Sequence, residues 1–300
     1  VRENGKNLYV AEVNEHIFVL DEGAKYPENE QLGVDIVVPN FEYLEENKHR
    51  VAGIFLSHGH ADAIGALPYL LEKVKVPIFG SHLTIEIVKL LIKNNNATKK
   101  FNDFHVINEK TEIDFGDSVV SFFQTTHSIP ESLGVVIKTD QGNIVYTGDF
   151  KFDQAADKFY KTDFSRLAEI GNEGVLALLS DSANADSNEQ GASMHEAREE
   201  ILNTIADWDG RIIVAAVASN IVRIQQIFDA AEKTGRRIVL TGHDVENIVR
   251  TAIQLKKLHL VSEKLLVKPK DIAKYEDHEL IILETGRMGE PLNGLRKMAI

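Results

Sequence analysis

The chain has 300 residues, of which 43% are hydrophobic and 26% are charged, as in an ordinary globular protein with room for two packed cores or one large domain with an insertion. Its net charge of −13 gives no global attraction to nucleic acid, and the absence of cysteine excludes disulfides and thiolate metal sites. No apolar run approaches the roughly 20 residues that span a bilayer, so we expect no membrane partner. The start lacks an initiator Met, so we expect it to be trimmed, and it also lacks a signal-peptide pattern, so we expect a cytoplasmic location.

Short strands dominate the first 180 residues. Helical periodicity covers only 62–74 and the stretch from Thr84 to about Lys93. The predicted strands occupy 8–20 (two strands about a turn at Asn14-Glu15), 51–56, 77–80, several stretches between 104 and 148, and 175–181, the last as a buried strand that ends in an acid.

The pattern changes near residue 190, after a turn-rich segment over 181–194. A helix predicted from about His195 to Trp208 is followed by strands that alternate with helices, which indicates a parallel sheet. The predicted strands are 211–217, 237–242 and 280–286, and the predicted helices are 221–235 and 245–255. We therefore expect one domain over 1–190 and a doubly wound α/β domain over 191–300.

A motif of the form HxHxD, at His58, His60 and Asp62, comes directly after the apolar strand 51–56. Two histidines at i and i+2 on a tight loop can turn toward one ion, and a carboxylate two residues further on can reach a second. An HxH pair alone is weak evidence, since such pairs are common on surfaces.

Two further residues end strands in the same way. His127 follows the strand SVVSFFQTT, and Asp149 follows NIVYTG. Taken singly, each has a structural alternative, as a loop histidine with its own hydrogen bond or as a turn-forming aspartate. In this order, HxHxD, then His, then Asp, they predict one metal site at the edge of a sheet.

The order and wording of these segments resemble the β-CASP branch of the metallo-β-lactamase superfamily, and the ribonuclease J family in particular. The resemblance covers essentially the whole chain and implies an αββα sandwich with an inserted α/β domain. The segments that carry it are SHGHADAIGALPYL, TTHSIPESLGVVI, IVYTGDFKFD, LLSDSANA, ASNIVRIQQ and TGRMGEP.

The resemblance implies a ligand set. His58, His60 and His127 would hold a first ion, and Asp149 would bridge it to a second ion held by Asp62. Asp62 and Asp149 are then the candidate catalytic carboxylates. Asp21, in VLDEGAKYPE, would support the metal loop from behind, although an ordinary turn aspartate is the alternative.

One residue departs from the family motif HxHxDH, because position 63 is Ala and has no donor atom. The family's remaining ligand for the second ion is expected beyond Ile300, with the inserted domain incomplete at that point. We expect zinc at the first site and only weak binding of manganese or magnesium at the second. Turnover should therefore be low or absent.

Other segments depart as well. Val222 stands where the family has His, and GRMGEP (286–291) replaces the family's GSQGEP. The segment DSNEQG lacks the family's PGY. These departures resemble the second, catalytically weaker paralogue that some bacteria have in this family, which associates with its sister. The resemblance thus implies a sister-paralogue partner and a homo- or hetero-oligomer.

For RNA contacts, the resemblance points to Ala218, Ser219 and Asn220, at a strand-to-helix turn of the type that binds phosphate through backbone N–H groups. A simple helix N-cap is the alternative. Arg223 and Arg287 are the candidate phosphate cations, though each is equally well explained as a solvated charge. The basic run at 264–274 is more typical of a solvated face.

Three functions fit the sequence. The first is a metal-dependent ribonuclease that acts on single-stranded RNA as a 5′-to-3′ exonuclease and an endonuclease, in rRNA processing and mRNA decay. The second is a non-catalytic subunit that binds RNA or a sister ribonuclease. The third, a small-molecule metallohydrolase, suits the acidic charge better but leaves the α/β region after residue 190 unexplained.

Overall fold

The computed structural model describes residues 5–27, 33–93, 95–187, 191, 193–242 and 245–285. The backbone divides into two compact units. Of the described residues, 5–127 and 131–187 form the first unit, and 128–130 together with those from 191 onward form the second.

The first unit contains two five-stranded sheets. In the first sheet the strands lie in chain order, and only the β1–β2 pair is antiparallel. Asn14, with φ at 51°, forms the turn between β1 and β2 as predicted. The strands are β1 Tyr9–Val13, β2 His16–Leu20, β3 Val51–Phe55, β4 Ile78–Gly80 and β5 Phe104–Val106.

The second sheet has the order β10-β9-β8-β7-β6. Its first pair, β10 with β9, is parallel and the others are antiparallel. The strands are β6 Glu112–Asp114, β7 Val119–Gln124, β8 Leu133–Thr139, β9 Gly142–Tyr146 and β10 Val175–Leu179.

The core of the first unit lies between the two sheets. Alternate residues of each strand point to the same face, and the inward faces here are apolar. Phe55 and Phe79 stack with ring centroids 4.8 Å apart. The other large members of this core include Phe18, Leu20, Phe122, Val135 and Tyr146.

Helices cover the outer faces of both sheets. α4 packs on β4 and β5, while Ile170 of α5 packs against Phe123, Val136 and Val145 of the second sheet. The layers are therefore αββα, as the sequence predicts. The helices are α1 Glu42–Glu46, α2 Ala61–Ile64, α3 Leu67–Lys73, α4 His82–Lys93 and α5 Phe164–Glu173.

Three predictions for this unit need correction. The helix predicted over 62–74 is interrupted between α2 and α3, and α4 begins two residues earlier than predicted. β10 is not buried: Leu176 and Leu178 are 57% and 63% exposed. The reason is position, because within the described residues β10 lies at the sheet edge and pairs only with β9.

The second unit contains a four-stranded sheet of order β11-β14-β12-β13, and all of its pairs are parallel, as predicted. The short β13 was missed by the sequence analysis. Among the described helices, none is long and apolar enough to cross a bilayer. The strands are β11 Ile212–Ala215, β12 Arg237–Gly242, β13 Leu266–Val267 and β14 Leu280–Thr285, and the helices are α6 Met194–Ala206, α7 Ile221–Thr234 and α8 Val245–Gln254.

Candidate metal centre

Three histidines converge in the first unit. His58 and His60 lie on the loop between β3 and α2, and His127 lies on the segment after β7. Their ring centroids are 4.9 Å apart for His58–His60, 4.7 Å for His58–His127 and 4.9 Å for His60–His127. The Nε2 atoms of His58 and His127 are buried and have no hydrogen-bond partner among the described residues. A coordinated cation would satisfy such buried imidazole nitrogens, which otherwise lack a partner.

A second group of potential ligands overlaps the first. Ligand atoms of His58, Asp62 and Asp149 lie within 4.8 Å of one another, as do those of His58, His60 and His127. The structure therefore brings together all five residues that the sequence singled out. His58 belongs to both groups. This differs from the family pattern, in which the residue at this position binds the first ion alone.

Asp21 lies behind His58 and is fully buried. Its carboxylate accepts hydrogen bonds from Ser57 N (2.7 Å), Ser57 Oγ (2.6 Å) and Tyr146 Oη (2.6 Å). Ser57 Oγ is in turn 2.8 Å from His58 Nδ1. Because the Ser57 hydroxyl proton points to Asp21, its oxygen is left to accept from Nδ1–H of His58, which leaves Nε2 as the ligand atom.

The electrostatics of the group follow from burial and proximity. Burial lowers the pKa of His58, but Asp62 and Asp149 overcome this and raise it to about 9. Burial and then the charge of His58 lower the pKa of His60 to about 3 and of His127 to about 2. Burial and Asp62 raise the pKa of Asp149 to about 7, against the effect of His58. Two imidazoles are thus neutral and able to donate their lone pairs at neutral pH.

The backbone of the metal loop is fixed by the segment after β2. Glu22 N donates to Ala63 O (2.7 Å), and Ala24 N donates to Ala61 O (2.9 Å). The two segments lie so close at Gly23 that a Cβ there would collide with the carbonyl oxygen of Asp62. Ala63 is fully buried in this packing. Its methyl group offers nothing to a cation.

Two family models match the chain. The model described as "Beta-lactamase superfamily domain" matches residues 33–168, and the model described as "Ribonuclease J, beta-CASP domain" matches residues 209–300. Curated proteins named "Ribonuclease J 2", from Streptococcus pyogenes serotype M3, and "Ribonuclease J2", from Bacillus subtilis, are 69% and 44% identical over 299 residues. Over its whole length the chain is therefore similar to part of these ribonuclease J proteins, and residues 209–300 match the ribonuclease J β-CASP domain.

Each of these ribonuclease J relatives aligns with 100% of this chain, which covers 54% of the relative. The chain thus spans about half the length of the curated relatives it matches. A solved structure of a protein of unknown function from Enterococcus faecalis V583 aligns with 93% of this chain and over 74% of its own length. The TM-score is 0.65 and the sequence identity is 16%, so the two proteins share a fold. The architecture is therefore a metallo-β-lactamase fold combined with a β-CASP domain.

The residues predicted to touch RNA lie in the second unit. Asn220 Oδ1 accepts from Arg223 N (3.0 Å), so Asn220 is the N-cap of α7, and Ala218 and Ser219 are buried just before it. The helix cap that the sequence left as an alternative is present, and RNA contact at this turn stays a prediction. GRMGEP, with Arg287 inside it, lies outside the described residues.

Sequence reasoning missed two members of the metal centre, Ser57 and Tyr146. Ser57 stands directly before His58 and could have been suspected from that position alone. Tyr146 is distant in sequence, and only the pairing of β9 within the second sheet brings its hydroxyl to Asp21. A buried tyrosine at the end of an apolar strand carries no signal of its partner.

Proposed function

We propose that this chain is the catalytic half of a metal-dependent ribonuclease of the J type. It would hydrolyse phosphodiester bonds of single-stranded RNA as a 5′-to-3′ exonuclease and an endonuclease, in rRNA processing and mRNA decay in the cytoplasm. The convergence of His58, His60 and His127 is the observation that carries the proposal, together with the buried Nε2 atoms of His58 and His127, which have no hydrogen-bond partner among the described residues. The similarity to ribonuclease J proteins supports RNA as the substrate class.

The donor set suits a divalent cation with a preference for nitrogen. Three imidazoles and a carboxylate fit zinc, so zinc is the proposed ion at the histidine group. When bound, such an ion supplies activation of water and neutralisation of the phosphate charge. The second group, His58, Asp62 and Asp149, would hold manganese or magnesium weakly.

The carboxylates Asp62 and Asp149 have the proposed catalytic roles. The pKa of Asp149 is raised to about 7 without a cation, so near neutral pH this carboxyl can release the proton that a bound cation would displace. The pKa of Asp62 is lowered, because His58 outweighs the effect of burial, and the ionised oxygen is available to a cation. Ala63 removes an imidazole beside them, and losing one electrostatic contact of this kind costs about 10²–10³ in rate. We therefore propose weak turnover.

A second candidate function is a non-catalytic subunit that binds RNA or a sister ribonuclease J paralogue in a homo- or hetero-oligomer. The substitution at Ala63 favours this alternative, because it removes a ligand without disturbing the loop. RNA would then be bound, but the phosphodiester bond would stay intact.

The two candidates separate in one assay. The full-length protein is incubated with 5′-monophosphorylated single-stranded RNA and added Zn²⁺ or Mn²⁺, and products are resolved by length. The ribonuclease is supported if His60→Ala abolishes turnover and His49→Ala, a control at an exposed histidine, leaves turnover intact. Equal product formation by the parent protein and His60→Ala would mean that a contaminant cleaves the RNA. Binding without any product would support the subunit.

A further inference from the structure

Three phenylalanine rings form a cluster directly after the metal centre in the chain. Phe150 and Phe152 follow Asp149, and Phe152 also meets Phe164 at the start of α5. The ring centroids are 5.1 Å apart for Phe150–Phe152 and 5.2 Å for Phe152–Phe164, with tilts of 54° and 46°. These are ordinary distances for aromatic pairs. We refer to these three rings as the aromatic cluster.

The aromatic cluster is open to solvent, unlike the aromatic core between the sheets. Phe152 is 63% exposed and Phe164 is 44% exposed. Single exposed apolar residues are common and need no explanation, but two large rings in contact with each other form a patch. Their exposed faces make no contribution to the core of this unit. They are available for stacking with another flat ring.

The aromatic cluster is continuous with the metal centre through backbone pairing. Lys151 N donates to Thr126 O (2.9 Å), which ties the residue between the two phenylalanines to the residue before His127. The Lys151 ammonium is close enough to contribute to the lowered pKa of His127. Three residues of extended chain span at most about 11 Å, so the Cα of Phe152 is within that distance of the Cα of Asp149.

Charge and aromatic surface alternate along this segment. The Lys151 Nζ atom lies 3.2 Å from Asp153 Oδ2, and the lysine is 42% exposed while the Asp153 side chain is buried. Lys151 and Asp153 thus form a charged pair and Phe150 and Phe152 form a ring pair, and both pairs lie within four residues of Asp149 in the chain. A single-stranded nucleic acid presents phosphates and bases in a matching alternation.

We propose that the aromatic cluster is a stacking platform for a base of single-stranded RNA, next to the phosphate held at the metal centre. The proposal rests on the proposed function for the identity of the polymer. Stacking on Phe152 and Phe164 would be tolerant of sequence, because every base has a π-face. It would also offset the lack of attraction from a chain with net charge −13.

The test measures binding without turnover. Full-length protein with its metal bound is titrated into a labelled decauridylate and into an abasic ribose-phosphate decamer, both with cleavage-resistant phosphorothioate linkages, and fluorescence polarisation gives both affinities. Phe152→Ala should bind the decauridylate about 5- to 150-fold more weakly, which corresponds to about 1–3 kcal/mol for a stacked base. Binding of the abasic decamer should not change. Phe152→Trp should restore the affinity, and Tyr69→Ala, at an exposed ring on α3, should match the parent protein.

Two results would overturn the proposal. One is unchanged affinity in Phe152→Ala, and the other is an equal loss on both decamers. If the affinity is unchanged and the sedimentation of Phe152→Ala differs from that of the parent protein, the surface belongs to a contact with a second copy of the chain. Circular dichroism checks folding, and Phe164→Ala repeats the test if Phe152→Ala does not fold. Since no cleavage is needed, an absence of ribonuclease activity would refute the proposed function but leave this result standing.

Discussion

The substitution Asp21→Asn tests how the buried carboxylate controls the metal loop. Asp21 accepts three hydrogen bonds, two from Ser57 and one from Tyr146. An asparagine keeps the shape, but its Nδ2 group faces a donor, so one hydrogen bond to a charged acceptor is lost, at about 1.5–3 kcal/mol. Burial raises the pKa of Asp21, so the ionised form is itself costly, and we expect a loss near the lower end of that range.

The same substitution should act on the metal through His58. Ser57 Oγ then donates to a neutral amide oxygen instead of a carboxylate, so its orientation toward His58 Nδ1 is held less firmly. Disturbing a partner behind a metal ligand typically weakens metal affinity about 10- to 100-fold. Competition with a chromogenic chelator measures zinc affinity, and urea unfolding of the metal-free protein measures stability.

A matched control is available in the exposed Asp117, which accepts from Asn14 and contacts His16. Asp117→Asn should leave zinc affinity unchanged. If Asp21→Asn lowered stability and left zinc affinity intact, the relay through Ser57 would be refuted. If both variants lost affinity equally, the effect would be one of net charge alone.

Three further outcomes are expected. Ala63→His should raise the metal content from one toward two ions per chain, measured by elemental analysis, and should speed RNA cleavage about 10²–10³-fold. If neither changes, the absence of a ligand at position 63 is not what limits the metal centre. The pKa of His58 is raised to about 9, so zinc must displace a proton from this imidazole, and zinc affinity should rise about tenfold per pH unit up to pH 9. Calorimetry in two buffers of different ionisation enthalpy would detect the released proton, and no release would refute His58 as a zinc ligand. Burial raises the pKa of Glu22 well above its ordinary value, so the folded state retains a proton that the unfolded state loses, and stability should fall as the pH rises above about 5. Glu22→Gln should remove up to about 1.4 kcal/mol per pH unit of this slope in urea unfolding, and equal slopes in the two proteins would argue against a buried neutral acid.

Much of the metal centre could be predicted because its residues stand at strand ends. His58, His127 and Asp149 each follow an apolar strand, and adjacent strands of a sandwich bring such ends to one edge. The shared position of His58 in two ligand groups could not be predicted, since it depends on side-chain rotamers. Nor could the role of Tyr146, which depends on pairing across the sheet.

The limits of the fold prediction have a similar cause. The uniform apolar run of β10 is typical of a strand buried on both faces, but its sequence does not reveal that it occupies an edge. β6 and β13 are too short for any periodicity to show, and they exist because a neighbouring strand pairs with them. The αββα layers were implied by the resemblance, whereas the parallel sheet of the second unit was predicted from the alternation of strands and helices after residue 190.

The backbone of the metal loop is held by bonds that involve no metal-ligand side chain. Asn7 N donates to Asp62 O, and the carbonyls of Ala61 and Ala63 accept from the segment after β2. Each ligand side chain can therefore be exchanged during divergence while the loop keeps its shape. Ala63 shows the same separation of backbone from side chain, because its carbonyl accepts from Glu22 N while its side chain is only a methyl group.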